Sequence, residues 1–135
     1  MTSVEQPDIE IPAAVRRAAE AVLDKKGLAL KVLYVREVSD FADFFLICSG
    51  QSDRQVQAIA RGVEERLASE GLEPLHSEGF PQGKWVLLDY GDLIVHVFDE
   101  ERREFYRLDR LWADAPRVDE WQEDGGSGHG RAAEA

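Results

Sequence analysis

A chain of 135 residues with 44% hydrophobic and 9% aromatic residues has the size and composition of one soluble globular domain. Its formal charge of −11, from 27 Asp and Glu against 16 Lys and Arg, argues against a sequence-independent phosphate binder, which needs a dense basic surface. The single Cys48 excludes an intrachain disulfide, and no run approaches the ~18 apolar residues of a membrane span.

The acidity gathers at the ends. Residues 1–11 carry Glu5, Asp8 and Glu10, residues 117–135 carry five acids against Arg117 and Arg131, and residues 12–116 keep a net −5. The first stretch is polar and lacks the basic start and apolar run of a signal peptide, which predicts a cytoplasmic protein. The last 14 residues, QEDGGSGHGRAAEA, are charged and Gly-rich. Neither end holds enough apolar area to offset its ordering entropy. The expected organisation is a flexible N-terminus over 1–11, one folded domain over 12–116 and a flexible acidic tail over 117–135.

Pro12 suits a first helical turn, and Val15, Ala18, Ala19, Val22 and Leu23 then fall on one helical stripe that Gly27 ends. The runs LKVLYVREV (30–38) and DFFLICSG (43–50) read as two strands, the second apolar enough to be central and covered on both faces. Ser52 and Gln55 fit a capping box, and Val56, Ile59, Ala60, Val63 and Leu67 give a second helix that stops at Gly71. A helix after a buried strand normally crosses to a parallel neighbour, for which EPLHSEG (73–79) is the short candidate. KWVLLDY and LIVHVF, split by Gly91 and Asp92, predict a tight antiparallel hairpin. Asp99 can cap a last helix with Phe105, Leu108, Leu111 and Trp112 inward and Pro116 beyond it. The order α-β-β-α-β-β-β-α predicts an α/β fold with a single mixed β-sheet of about five strands.

The chemistry-bearing residues are few. Asp40 and Asp43, with Asp89 and Asp92, invite a metal or acid/base reading, yet Asp is favoured in turns for local reasons, as at Asp40 and Asp92. A nucleotidyltransferase would need a Gly-Ser pair opening a helix and an Asp-x-Asp on the next strand. Gly50-Gln51-Ser52 distorts the first element, and the second is absent from the chain. SGQSDRQ has one glycine and no Lys, so a helix cap explains it better than a phosphate cradle. Cys48 reads as core, and His76, His96 and His129 are too scattered for a metal site. No catalytic residue, metal site or cofactor is expected.

The last hairpin is more informative. Period-two alternation puts Trp85, Leu87 and Asp89 on one face of their strand and Ile94, His96 and Phe98 on one face of the next. A face that mixes Trp, Asp, His and Phe has the chemistry of a protein-binding hot spot. A half-exposed sheet edge with a satisfied histidine is the alternative reading.

The stretches VSDFADFFLICSGQSDRQVQAIA and GKWVLLDYGDLIVHVFDEERREFYRLDRLWADA resemble the ribosomal silencing factor family RsfS, also called Iojap-related proteins, over roughly residues 13–116. The departure from the pattern is the appended tail after Pro116. The resemblance implies a fold like that of nucleotidyltransferases without the catalytic acids. It also implies binding to the large ribosomal subunit through ribosomal protein L-fourteen, where the factor obstructs joining of the small subunit and lowers translation when nutrients are scarce. Homodimers are among the family's states, and the ribosome-binding form is left open between monomer and dimer. Alternation and the family motif together name Trp85, Leu87, Asp89, His96 and Phe98 as the docking face, with Tyr106, Leu111 and Trp112 supporting or extending it. An acidic chain suits a basic ribosomal protein and would be repelled by rRNA itself, so no direct specific nucleic-acid contact is expected. The alternatives are a large-subunit assembly factor without silencing activity and a metal-dependent nucleotidyltransferase using Asp43, Asp89 and Asp92.

Overall fold

The computed structural model describes residues 10–37, 40, 42–101 and 116–118. They form two helices and five strands: α1 Ala13–Asp24, β1 Leu28–Tyr34, β2 Phe44–Gly50, α2 Asp53–Ala68, β3 His76–Glu78, β4 Trp85–Asp89 and β5 Leu93–Asp99. The strands make one mixed sheet in the order β1-β2-β5-β4-β3, with β2 and β5 parallel and every other pair antiparallel.

The helices follow their apolar spacing. In α2 the five predicted positions Val56, Ile59, Ala60, Val63 and Leu67 are all buried. Ser52 caps it, its Oγ accepting the Gln55 N–H at 3.1 Å, while the Gln55 side-chain Oε1 accepts the Gln51 N–H at 2.7 Å. The Gln55 amide donates onward to the carbonyls of Lys25 and Lys26, so the start of α2 also clamps the end of α1. In α1 the stripe holds except at its last member. Leu23 is 47% exposed and Ala21 is buried instead, because α1 lies against α2 through small residues. Arg66 of α2 pairs with Glu20 at 3.1 Å and with Asp24, which laces the outer side of the helix pair.

Both helices pack on one face of the sheet. There Leu30 and Val32 of β1, Phe44, Leu46 and Cys48 of β2, Val86 and Leu88 of β4, and Leu93, Val95 and Val97 of β5 join the helices' apolar stripes in the larger core. Every residue of β2 is buried, as expected of a central strand with apolar side chains on both faces.

Three expectations are corrected. The segment after α2 does not supply the parallel neighbour of β2. Its strand, β3, is three exposed residues at the sheet edge, antiparallel to β4, and β5 takes the place beside β2. A His-Ser-Glu strand has nothing to bury on either face, whereas β5 is apolar on both. The folded unit also runs past Pro116: Val118 is buried, its N–H donates to the Val32 carbonyl, and Arg117 bridges to Leu33 along the edge of β1. At the other end Ile11 packs on the core, one residue before the expected boundary. The helix expected over Phe105 to Trp112 lies outside the described residues, as does His129. Asp99 ends β5, where its N–H donates to the Lys84 carbonyl.

Candidate functional site

The β4–β5 hairpin builds the second face of the sheet. Its turn is two residues long, Gly91 and Asp92, closed by the Tyr90 N–H on the Leu93 carbonyl at 2.9 Å. Gly91 takes φ +92°, a conformation that glycine adopts freely at the first position of such a turn. Asp89 Oδ1 accepts the Gly91 N–H at 2.8 Å. The Asp92 carbonyl accepts from Asp43 and Phe44, which ties the hairpin tip to the start of β2. At the far end of β4, Gly79 passes so close that a Cβ there would lie 2.0 Å from the Trp85 carbonyl oxygen, and its φ is +91°.

In this register Trp85 faces Phe98, Leu87 faces His96 and Asp89 faces Ile94, so the six residues grouped by alternation do share one face. Their exposure differs sharply. Trp85, Leu87, Asp89 and Ile94 are half-buried, whereas His96 is 6% exposed and Phe98 is fully buried. Phe98 and His96 therefore form the floor of this face rather than its contact surface. Tyr106, Leu111 and Trp112 lie outside the described residues.

The aromatic rings are mutually packed. Trp85 lies 4.8 Å from Phe98 between ring centroids. His96 stacks on Phe98 at 6.1 Å with 7° between planes and takes Phe45 edge-on at 5.0 Å. The Trp85 Nε1–H donates to His96 Nδ1 at 3.3 Å. An indole nitrogen only donates, so Nδ1 is the unprotonated nitrogen and Nε2 carries the proton of a neutral ring. Burial pulls the His96 pKa down to about 4, because a charged imidazolium would lose its hydration there.

Sequence reasoning missed the β2 and β1 side of this face. Phe45 and Ile47, with Leu33, Val35 and Ala42, complete the smaller core under Trp85 and Ile94. No local signal could have found them, since a strand apolar without a break from Phe44 to Cys48 shows no preferred side.

The acids of the enzyme alternative are occupied by backbone and surface roles. Asp89 holds its own turn, Asp43 pairs with Arg36 at 3.9 Å, and Asp92 is exposed at the hairpin tip. Among the described residues no three His, Cys, Asp or Glu side chains come together as metal ligands. Cys48 is buried on the helix-covered face, its Sγ 3.8 Å from the His96 carbonyl oxygen. Tyr90 sits at the hairpin's other side with its pKa pushed up to about 12, by burial first and then by Glu64 and Glu73. Among the described residues no helix is long and apolar enough to cross a membrane.

A family model described as "Ribosomal silencing factor during starvation", RsfS, matches residues 8–134. The chain belongs to the ribosomal silencing factor family. The match runs through residue 134, so the stretch beyond Pro116 that the sequence suggested was appended falls inside the family region. Among individual relatives, the ribosomal silencing factor RsfS of Halalkalibacterium halodurans is 46% identical over 102 residues, 76% of this chain and 87% of that protein. A crystal structure from Bacillus halodurans is 42% identical with a TM-score of 0.69, covering 78% of this chain and 95% of that one. One from Chromobacterium violaceum has a TM-score of 0.74 at 34% identity, covering 78% and 88%. At these identities the likeness extends from the backbone to the family itself.

Proposed function

We propose that this chain is a cytoplasmic ribosomal silencing factor that binds the large subunit through ribosomal protein L-fourteen, obstructs small-subunit joining and so lowers translation when nutrients are scarce. It acts by occupying space rather than by transforming a substrate. The family relationship supplies the ribosome as partner, and the relatives' printed name supplies silencing as the outcome. The observation that carries the docking assignment is the half-exposed set Trp85, Leu87 and Asp89, aligned along β4 over a floor of His96 and Phe98 on the face opposite the helices. Trp85 and Leu87 supply apolar area. Asp89 spends one oxygen on its turn, and the other is left to meet a Lys or Arg of a basic partner. In this reading Tyr106, Leu111 and Trp112 support or extend the contact, and the working form is either a monomer or a homodimer.

Co-sedimentation with purified large subunits, followed by addition of small subunits, tests the reading. The expected result is a chain that travels with the large subunit and reduces the joined-ribosome peak. Unhindered joining at saturating excess of the chain overturns it. A chain that alters only precursor particles in sucrose gradients is the signature of the assembly-factor alternative.

A further inference from the structure

Among the described residues His96 is the one strongly buried ionisable ring on the candidate face, and packing alone does not account for it. A phenylalanine would fill the same slot between Phe45 and Phe98 with no desolvation cost. A core histidine that merely satisfies itself would have both nitrogens bonded. Here Nε2 is buried and has no hydrogen-bond partner among the described residues, so the ring's polarity serves through Nδ1, on the Trp85 indole N–H.

We propose that His96 is the positioning residue of the docking face: its Nδ1 holds the Trp85 indole N–H and so sets the angle at which that ring meets the partner. The inference rests on the docking role given to Trp85 above. Three contacts converge on the result. Phe98 supports Trp85 from below, and the same Phe98 with Phe45 fixes the plane of the imidazole. Backbone register then places the two side chains on neighbouring strands one diagonal step apart, since His96 lies opposite Leu87 and Trp85 opposite Phe98. With the imidazole plane fixed, Nδ1 can accept from one direction only, and the indole must tilt to meet it. A free Trp85 would explore several rotamers and lose that order on binding.

The test compares His96→Phe, His96→Asn, Trp85→Phe and Trp85→Ala in the full chain, reading affinity for purified large subunits, unfolding in urea, and nitrogen-15 NMR of the His96 ring and the Trp85 indole. Asn places an amide oxygen near the Nδ1 position and keeps the acceptor, whereas Phe keeps the volume and removes it. Binding should weaken about tenfold for His96→Phe, the size of one lost hydrogen bond, with stability equal to the parent or higher. His96→Asn should be less stable yet bind within about threefold and keep the Trp85 indole N–H resonance at its parental position. Trp85→Phe, which deletes the same bond and also shrinks the contact ring, should lose at least as much affinity as His96→Phe, and the double variant no more than Trp85→Phe alone. The wild-type ring should show Nδ1 unprotonated and Nε2 protonated at neutral pH. A proton on Nδ1, or His96→Phe binding at the parental level while Trp85→Ala binds more weakly than the parent, overturns the positioning role and leaves the docking reading standing. Parental affinity in Trp85→Ala overturns both.

Discussion

The two faces of the sheet are made by the same strands and differ in almost every other respect. The face under α1 and α2 is mainly aliphatic, made of Val, Leu, Ala and Ile with Cys48 and Phe44, and partly buried aromatic rings, Tyr34, Phe80 and Tyr90, pack around it. The opposite face collects Trp85, Phe98, Phe45 and His96, keeps Trp85, Leu87, Asp89 and Ile94 half-exposed, and contains a buried ring whose Nε2 has no hydrogen-bond partner among the described residues. Aliphatic side chains fill volume without directional demands, which suits the attachment of helices. Aromatic and polar groups bring area together with fixed hydrogen-bond geometry, which suits recognition of another protein. In the proposed reading, one layer of β-structure thus separates the larger core from the docking face, which rests on a smaller core of its own.

This division is open to attack from either side. The largest effect is expected on the aliphatic face. Leu46→Ala removes a fully buried side chain from the central strand and should cost about 4 kcal/mol in urea unfolding, with the folded fraction still binding large subunits at parental affinity. A loss of affinity in the folded protein would mean that the faces are coupled rather than divided.

Acid should act on the other face. His96 is neutral in the folded state with its pKa pulled down to about 4, whereas an unfolded chain takes up that proton near 6.5. The unfolded state therefore binds more protons between those values, and stability should fall as pH drops through that window, by at most about 3 kcal/mol from this group. Glu64, whose carboxyl is pushed upward by burial, contributes with the opposite sign. In His96→Phe the acid-dependent loss over that interval should shrink, as measured by unfolding at pH 7 and at pH 4.5. An unchanged pH profile would remove His96 as its source.

Trp85→Ala should weaken large-subunit binding by about 2 kcal/mol, roughly 30-fold, with a smaller change in unfolding free energy because the ring is half-exposed. The reverse ordering, with unfolding hit harder than binding, would make Trp85 part of the core and dissolve the distinction between the faces. The smallest effect serves as a control belonging to neither face. Ala29 is held at φ +50° at the exposed start of β1, so Ala29→Gly should stabilise the chain by about 1 kcal/mol and leave subunit binding unchanged.

Much of this was legible before any coordinates. Ser52, Gln55 and the spacing from Val56 to Leu67 specify α2 because capping and helical periodicity are local. Gly91 and Asp92 between two β-rich runs specify the hairpin, and alternation along it assigns Trp85, Leu87, Asp89, Ile94, His96 and Phe98 to one side. The side of Phe45 and Ile47 is hidden because β2 is apolar without a break from Phe44 to Cys48. The place of β3 was misjudged because chain order favours the next strand, while burial favours the most apolar one.

What the sequence by itself determined is therefore the set of elements, the family, and the side of its own strand to which each hairpin residue points, all of them consequences of spacing and residue type over a few turns. The tertiary structure alone decided that β5 lies beside β2, that His96 and Phe98 are floor while Trp85 and Leu87 reach the surface, and that the indole of Trp85 finds the imidazole of His96. Those facts depend on which distant segments meet, and burial is a property of the meeting rather than of either segment.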